Sequence, residues 1–239
     1  MNIRQVVLIL SFACVTLLLA NTSSAKQYRI SSFNHDTTQI DVTYKVMRKV
    51  YQRLGHDFEL IRYPGKRSLV EANNGQVSGE LMRIKALEKT LNNMIRIPVA
   101  IGSLKVMAIT RKGERKVTGI AGLIGKHVGV VRGVELTERL TKNHQRQIVN
   151  SIDSLFKVLL NEHVEVILFP KLDAEKYIAA HQMEGKVNIS EASILEVKLY
   201  HYIHESRAKL AAELTELLQD MERTGELDAL NHLTEQASY

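Results

Sequence analysis

The spacing of apolar residues switches between two periods along this chain. Apolar and polar residues alternate over residues 58–63, and residues 164–169 are nearly all apolar, so both segments predict strands. A helical period precedes the first of them, carried by Ile40, Tyr44, Met47, Val50, Tyr51 and Leu54. Further strands are predicted over residues 28–32, 77–84, 104–110, 127–131, 147–149 and 187–189. This alternation predicts an α/β fold with mostly parallel sheets flanked by helices.

The same order of strands and helices occurs twice, which predicts two lobes. We expect residues 26–110 to form the first part of lobe 1, residues 111–194 to form lobe 2, and residues 195–239 to return to lobe 1 with two leucine-rich helices. Such a chain crosses between the lobes on two strands, which predicts a hinge. We expect the charged residues 111–116 to be exposed just after the first crossing.

The first 25 residues predict a secretory signal. Arg4 precedes an apolar run over residues 6–20, and the small residues Ser23 and Ala25 predict cleavage after Ala25. The run is short for a membrane-spanning helix, so an uncleaved anchor is the less favoured alternative. The single cysteine, Cys14, lacks a lipidation context and lies inside this segment. We therefore expect a periplasmic protein whose mature chain has no thiol.

The charge indicates which partners to expect. The whole chain carries +6, and removal of Arg4 leaves 31 Lys and Arg against 26 Asp and Glu, a net charge of +5. These charges are interspersed, and the chain has no tryptophan and few other aromatic residues for base stacking. We expect no nucleic-acid partner, whereas a preference for anionic small molecules is compatible with this surface.

Candidate binding residues follow the predicted strands. Residues 63–84 predict a strand end, a turn, a short helix and a second strand. This order places four polar residues near the carboxyl ends of neighbouring strands: Arg67, Ser68, Glu80 and Arg83. Small ligands bind at that edge of open α/β sheets. Phe33 and Asn34 follow the first strand, where a ring could stack on a ligand and an amide could orient it.

These residues could instead have a role within the protein that involves no ligand. Arg67 and Arg83 could bind a carboxylate or a phosphate, or they could form ion pairs within a lobe, since Glu80 lies three residues before Arg83. Glu80 could bind a ligand cation or, if buried, act as an acid. Phe33 could instead lie in a loop under a helix.

Histidines and known catalytic motifs do not indicate a metal or a cofactor. His201, His204 and His232 are too few to supply a zinc site, and we interpret them as exposed helix histidines. The sequence contains no glycine-rich phosphate loop, no nucleophile elbow and no HExxH motif. We therefore expect neither a cofactor nor a metal.

The ordered motifs resemble the periplasmic solute-binding proteins of family 3, the amino-acid-binding branch with the type 2 fold. In lobe 1 the resemblance is carried by residues 53–55, Pro64 with residues 67–69, residues 74–84 and residues 95–98. In lobe 2 and the return it is carried by residues 125–133, 154–160, 164–167, 199–205 and 217–230. Nearly the whole mature chain is covered.

The resemblance implies two α/β lobes that close on a small solute, with ligand groups from both. Arg132 and Gly133 precede a predicted second-lobe helix whose free amides favour anions, although the glycine could equally serve only the turn. The family often places Ser or Thr after that glycine to hold a carboxylate, and this chain has Val134 there. For the family's arginine, Arg83 and Arg96 are both candidates. The family's aspartate for the ligand amine falls near Phe169 and Pro170, neither of which can serve.

Three functions follow as hypotheses. The leading one is a monomeric solute-binding protein that delivers a small polar, anionic or amino-acid-like ligand to an ABC permease or membrane sensor. The second is a periplasmic enzyme of the dehydratase type on the same fold, with Glu80 as the acid. The third is an interaction protein whose cleft is filled by its own side chains.

Overall fold

The computed structural model describes residues 26–34 and 37–238. The predicted signal segment, with Cys14, lies outside these residues. Within the described part, no helix combines the length and the apolar composition that crossing a membrane requires.

Strands and helices alternate as the periodicity predicts. The strands are β1 (Gln27–Phe33), β2 (Asp57–Tyr63), β3 (Gly79–Ile84), β4 (Met94–Arg111), β5 (Val128–Val131), β6 (Arg146–Val149), β7 (Val166–Pro170), β8 (Val187–Ile189) and β9 (Leu195–His204). The α-helices are α1 (Thr38–Arg53), α2 (Gly65–Asn73), α3 (Glu135–Leu140), α4 (Ile152–Leu160), α5 (Lys171–Ala180), α6 (Ala208–Arg223) and α7 (Glu226–Gln236). Short 3₁₀ helices lie at Lys85–Thr90, Ile120–Leu123 and Glu205–Arg207.

The strands form one curled sheet in the order β2-β1-β3-β9-β4-β7-β5-β6, with β8 paired to β4. Pairing is parallel within β2-β1-β3 and within β7-β5-β6, and antiparallel where β9 and β4 join the two groups. We call β1–β3 with α1, α2, α6 and α7 the first lobe, and β5–β8 with α3–α5 the second lobe. The two long strands β4 and β9 connect them, while the residue boundaries given above stay predictions.

Each lobe has its own apolar core. In the first lobe, α6 places Leu210, Leu214 and Leu218 in one cluster with Ile30 of β1 and Ile40 of α1. The leucines of α6 thus pack against β1 and α1. In the second lobe the cores are formed by residues of β5, β7, α4 and neighbouring segments, among them Val130, Leu155, Phe156, Leu159, Val166 and Ile167.

Two local expectations differ from the structure. The predicted strand over residues 104–110 is the second half of β4, which begins at Met94. The pairing of β4 with β9 shifts register between Arg96 and Ala100 and again before Gly102. Pro98 lies in this irregular stretch and has no N–H to donate to a ladder. Arg111 is also not fully exposed, because its guanidinium donates to the carbonyl oxygens of Leu159 and Val164 at 2.6 and 2.8 Å.

Ser151 is the N-cap of α4. Its hydroxyl accepts the N–H of Ser154 at 3.1 Å, which satisfies one of the free amides at the helix start. We expect Ser151→Ala to lower the free energy of unfolding by about 1 kcal/mol. Urea unfolding measures the loss, and Ser151→Asn is the control because it retains a capping oxygen. Equal stability of the two variants would contradict the role of the cap.

Candidate functional site

The carboxyl ends of the parallel first-lobe strands lie side by side. Phe33 at the end of β1 is paired in register with Tyr63 at the end of β2. Helix α2 begins directly after β2, and a Cβ at Gly65 would lie 3.8 Å from the Cβ of Phe33. The start of α2 therefore covers the ends of these strands, where the sequence predicts the ligand site.

Glu80 is fully buried at this edge and is bonded within the lobe. The hydroxyls of Ser31 and Ser68 both lie 2.5 Å from its Oε2, as donors. Its Oε1 lies 2.8 Å from Nη2 of Arg83, at ion-pair distance but without the alignment of a hydrogen bond. We call Ser31, Ser68, Glu80 and Arg83 the buried polar cluster. As placed, Glu80 contacts protein groups on every side.

Arg83 is the charged side chain of this cluster that reaches towards the strand ends. Its side chain is 10% exposed, and its guanidinium carbon lies 4.9 Å from the ring centroid of Phe33. Nη2 is also 3.5 Å from the carbonyl oxygen of Gly65. Its Nε is buried and has no hydrogen-bond partner among the residues that the structure describes. Arg83 thus retains a donor that the protein itself does not satisfy.

An irregular strand brings Glu80 and Arg83 together. In a regular strand, residues three apart point to opposite faces. The pairing of β3 with β9 shifts register between Glu80 and Arg83, which removes that restriction. Gly79 permits the close approach of β9, since a Cβ there would lie 2.3 Å from the carbonyl oxygen of Tyr202.

Burial acts against both charges of the pair. It raises the pKa of Glu80 above its ordinary value, while Arg83 and the two serine hydroxyls act in the opposite direction. Burial likewise lowers the pKa of Arg83, and Glu80 opposes that shift. With its carboxylate beside a guanidinium and two hydroxyl donors, Glu80 has the surroundings of an ionised group.

The other first-lobe candidates lie outside the buried polar cluster. Arg67 on α2 is 64% exposed, forms an ion pair with Glu71 at 3.2 Å and lies over the ring of Tyr63. Asn34 is exposed after β1. Arg96 pairs with Glu88 at 3.1 Å and lies over Tyr200. Of the two arginines that the resemblance left open, Arg83 is therefore the one beside Phe33.

The second-lobe candidates lie at the turn between β5 and α3. Arg132 is exposed, and its Nε donates to Oδ1 of Asn150 at 3.1 Å. The N–H of Gly133, where φ is 84°, donates to the carboxylate of Glu138 at 2.5 Å. Val134 is the N-cap of α3 and makes no side-chain cap bond. The amide expected to hold a ligand anion is therefore bonded to an internal carboxylate.

A contact between the lobes was not predicted from the sequence. Oδ1 of Asp173, in the first turn of α5, accepts the N–H of Thr38 at the start of α1, at 2.7 Å. Burial raises the pKa of Asp173, and its bond to the Thr38 N–H acts in the opposite direction. The available signal was an aspartate three residues after the end of an apolar strand, which gives no indication of a partner 135 residues away.

The interpretation of the histidines as exposed helix residues is wrong for His201. It lies in β9 and is fully buried, between the hydroxyl of Tyr51 and the carbonyl oxygen of Leu81, each 2.9 Å from a ring nitrogen. His204 ends β9, and of the three only His232 lies in a helix. Within residues 26–34 and 37–238, no group of three or more potential metal ligands occurs.

Comparisons with known proteins bear on the fold. Neither a family model nor a curated protein sequence matches this chain. Among solved structures it is similar to the GluR0 ligand-binding core in complex with L-glutamate, with a TM-score of 0.68 and 12% identity over 88% of this chain and 98% of that one. A histidine kinase sensor domain with similarity to periplasmic binding proteins has a TM-score of 0.63 and 13% identity, covering 87% and 95% of the two chains.

A third similar structure is the amino acid ABC transporter substrate-binding protein AbpA from Streptococcus pneumoniae, bound to L-arginine. Its TM-score is 0.60 and its identity 15%, over 89% of this chain and 95% of that chain. At such identities the likeness concerns the backbone architecture alone. The protein therefore has the two-lobed type 2 periplasmic binding protein fold that the sequence motifs resemble.

Proposed function

We propose that this protein captures a small polar solute with an anionic group between its two lobes, in the periplasm. The closed form would then be recognised by a membrane permease or a membrane sensor. Both partner classes have a precedent among proteins of this fold, in an ABC transporter substrate-binding protein and a histidine kinase sensor domain. We expect the protein to act as a monomer.

The observation that carries this proposal is the placement of Arg83. Its guanidinium lies at the carboxyl ends of β1 and β3, against the ring of Phe33, and its buried Nε has no partner within residues 26–34 and 37–238. A guanidinium can bind a carboxylate or phosphate through two parallel hydrogen bonds. The adjacent ring offers an apolar surface to the rest of the solute, and Arg132 and Gly133 would approach from the second lobe.

Isothermal titration against a panel of amino acids, dicarboxylates and phosphorylated metabolites tests the proposal. We expect at least one anionic compound to bind, and Arg83→Lys to weaken its binding by about tenfold or more, because lysine keeps the charge but loses the planar fork. Arg67→Lys is the matched control, since Arg67 is mostly exposed and paired with Glu71. No heat from any compound, or equal affinity of Arg83→Lys and wild type, would contradict the proposal.

A second candidate function is a ligand-independent interaction protein. It is favoured by internal carboxylates at three positions suited to a ligand anion: Glu80 on Arg83, Asp173 on Thr38 and Glu138 on Gly133. If this candidate holds, the purified protein binds its membrane partner with the same affinity before and after dialysis that removes small molecules. A solute-dependent affinity would instead support the leading proposal.

The placement of Glu80 gives the dehydratase hypothesis no support. A general acid has to lie within hydrogen-bond reach of its substrate. Glu80 is completely buried and is bonded to Ser31, Ser68 and Arg83. Its arrangement fits a residue that positions Arg83.

A further inference from the structure

The first turn of α5 belongs to the second lobe but bonds to the first. Asp173 accepts the backbone N–H of Thr38 at 2.7 Å. Thr38 is the first residue of α1, and its N–H is one of the amides that a helix leaves free at its start. A carboxylate at this position is favoured by both the hydrogen bond and the helix dipole.

The residue next to Asp173 strengthens the same contact. Leu172 is 5% exposed and packs in the apolar cluster of the first lobe, together with residues such as Ile40. Ala174 and Ile178, on the same helix, pack in the second-lobe cluster. Helix α5 therefore contributes side chains to both cores, beside residues Ser103 and Leu104 of the connecting strand β4.

We propose that Leu172 and Asp173 form a latch that holds the second lobe against the first without help from a solute. Both partners of each contact belong to the protein, so the latch acts whether or not a solute is present. The latch adds a regulatory contact to the proposed function, and it rests on that function only in requiring that the two lobes open and close. The latch raises the fraction of solute-free protein that is already closed, and this strengthens the apparent affinity of the cleft for its solute.

The sharpest test removes the N–H donor and leaves the helix intact. Thr38→Pro deletes that N–H at the first helical position, where proline is well tolerated. The preceding residue, Thr37, is already extended, with φ −124° and ψ 144°, as a residue before proline prefers. Thr38→Ser is the matched control, because serine keeps both the N–H and a hydroxyl.

Small-angle X-ray scattering of the solute-free protein provides the measurement. Loss of a hydrogen bond to a charged group shifts the open–closed equilibrium by about tenfold or more, so we expect a larger radius of gyration for Thr38→Pro than for Thr38→Ser. Circular dichroism confirms that the variants are folded. An unchanged radius of gyration in folded Thr38→Pro overturns the latch.

Asp173→Ala tests the acceptor independently, and serves if Thr38→Pro does not fold. Its control is Asp153→Ala, which removes a first-turn aspartate of α4 whose Oδ1 bonds to Tyr177 within the second lobe. We expect expansion for Asp173→Ala alone, and equal radii for both alanine variants would refute the latch. Since the scattering needs no solute, its outcome is separate from that of the titration. A protein that binds no compound can still show the latch, and one that binds can lack it.

Discussion

Glu80→Leu is expected to lower the free energy of unfolding by about 3–5 kcal/mol, because it leaves the Arg83 guanidinium buried without a counter-charge. The substitution also removes the hydrogen bonds that the hydroxyls of Ser31 and Ser68 donate to Glu80, and these lost bonds add to the loss of stability. Guanidinium chloride unfolding, followed by far-UV circular dichroism, measures the change.

Two controls separate this effect from a general sensitivity to charge removal. Glu71→Leu removes the partner of the mostly exposed Arg67 and should cost no more than about 1 kcal/mol. The double variant Glu80→Leu with Arg83→Leu should recover part of the loss, since removal of both charges leaves neither of them unpaired. A cost for Glu80→Leu as small as that for Glu71→Leu would show that the cluster is not the buried ion pair described above.

Stability is also expected to depend on pH through His201. The carbonyl oxygen of Leu81 can only accept, so Nδ1 carries the proton and Nε2 accepts from the hydroxyl of Tyr51. The neutral ring is thereby satisfied, and burial lowers the pKa of His201 from 6.5 to about 4. In the unfolded chain the ring regains its ordinary pKa of about 6.5.

Proton linkage determines whether the free energy of unfolding rises or falls with pH. Between these two pKa values the unfolded state binds more protons than the folded state, so stability falls as the pH drops from about 6.5 to 4. His201 alone accounts for a loss of about 3 kcal/mol over this range. The contribution is fully present above pH 6.5, and below pH 4 it falls no further.

A comparison of variants isolates this contribution. His201→Gln lacks the titrating ring, so the difference in unfolding free energy between wild type and this variant should shrink between pH 7 and pH 4. His181→Gln is the control, because it makes the same substitution at an exposed histidine outside the core. Parallel stability curves for wild type and His201→Gln would show that the histidine is not held neutral.

The elements were predictable because their signals are local. The alternation over residues 58–63, the apolar run of β7 and the N-cap Ser151 each depend on neighbours within a few residues. The irregular middle of β4 was not predicted, because its continuity depends on pairing with β9. The prediction for His201 failed for a similar reason. His201 belongs to β9, which lies between β3 and β4, and that pairing is not visible in the local sequence.

In the candidate site, too, local signals predicted some features and long-range pairing decided others. Phe33 is the last residue of β1 and the Arg83 guanidinium lies against its ring, as expected where parallel strands end together. Glu80 is the second residue of β3 and is paired with Ser31. That the cluster encloses Glu80 depends on the register shift in β3, which spacing along the chain does not reveal.

The sequence by itself determined the α/β alternation, the repeated order of elements and the edge at which polar residues collect, because periodicity and turn residues act over short distances. The tertiary structure decided which charges meet. Asp173 reaches Thr38 across 135 residues because the two lobes pack together, and Glu80 meets Arg83 where the pairing of β3 with β9 shifts register.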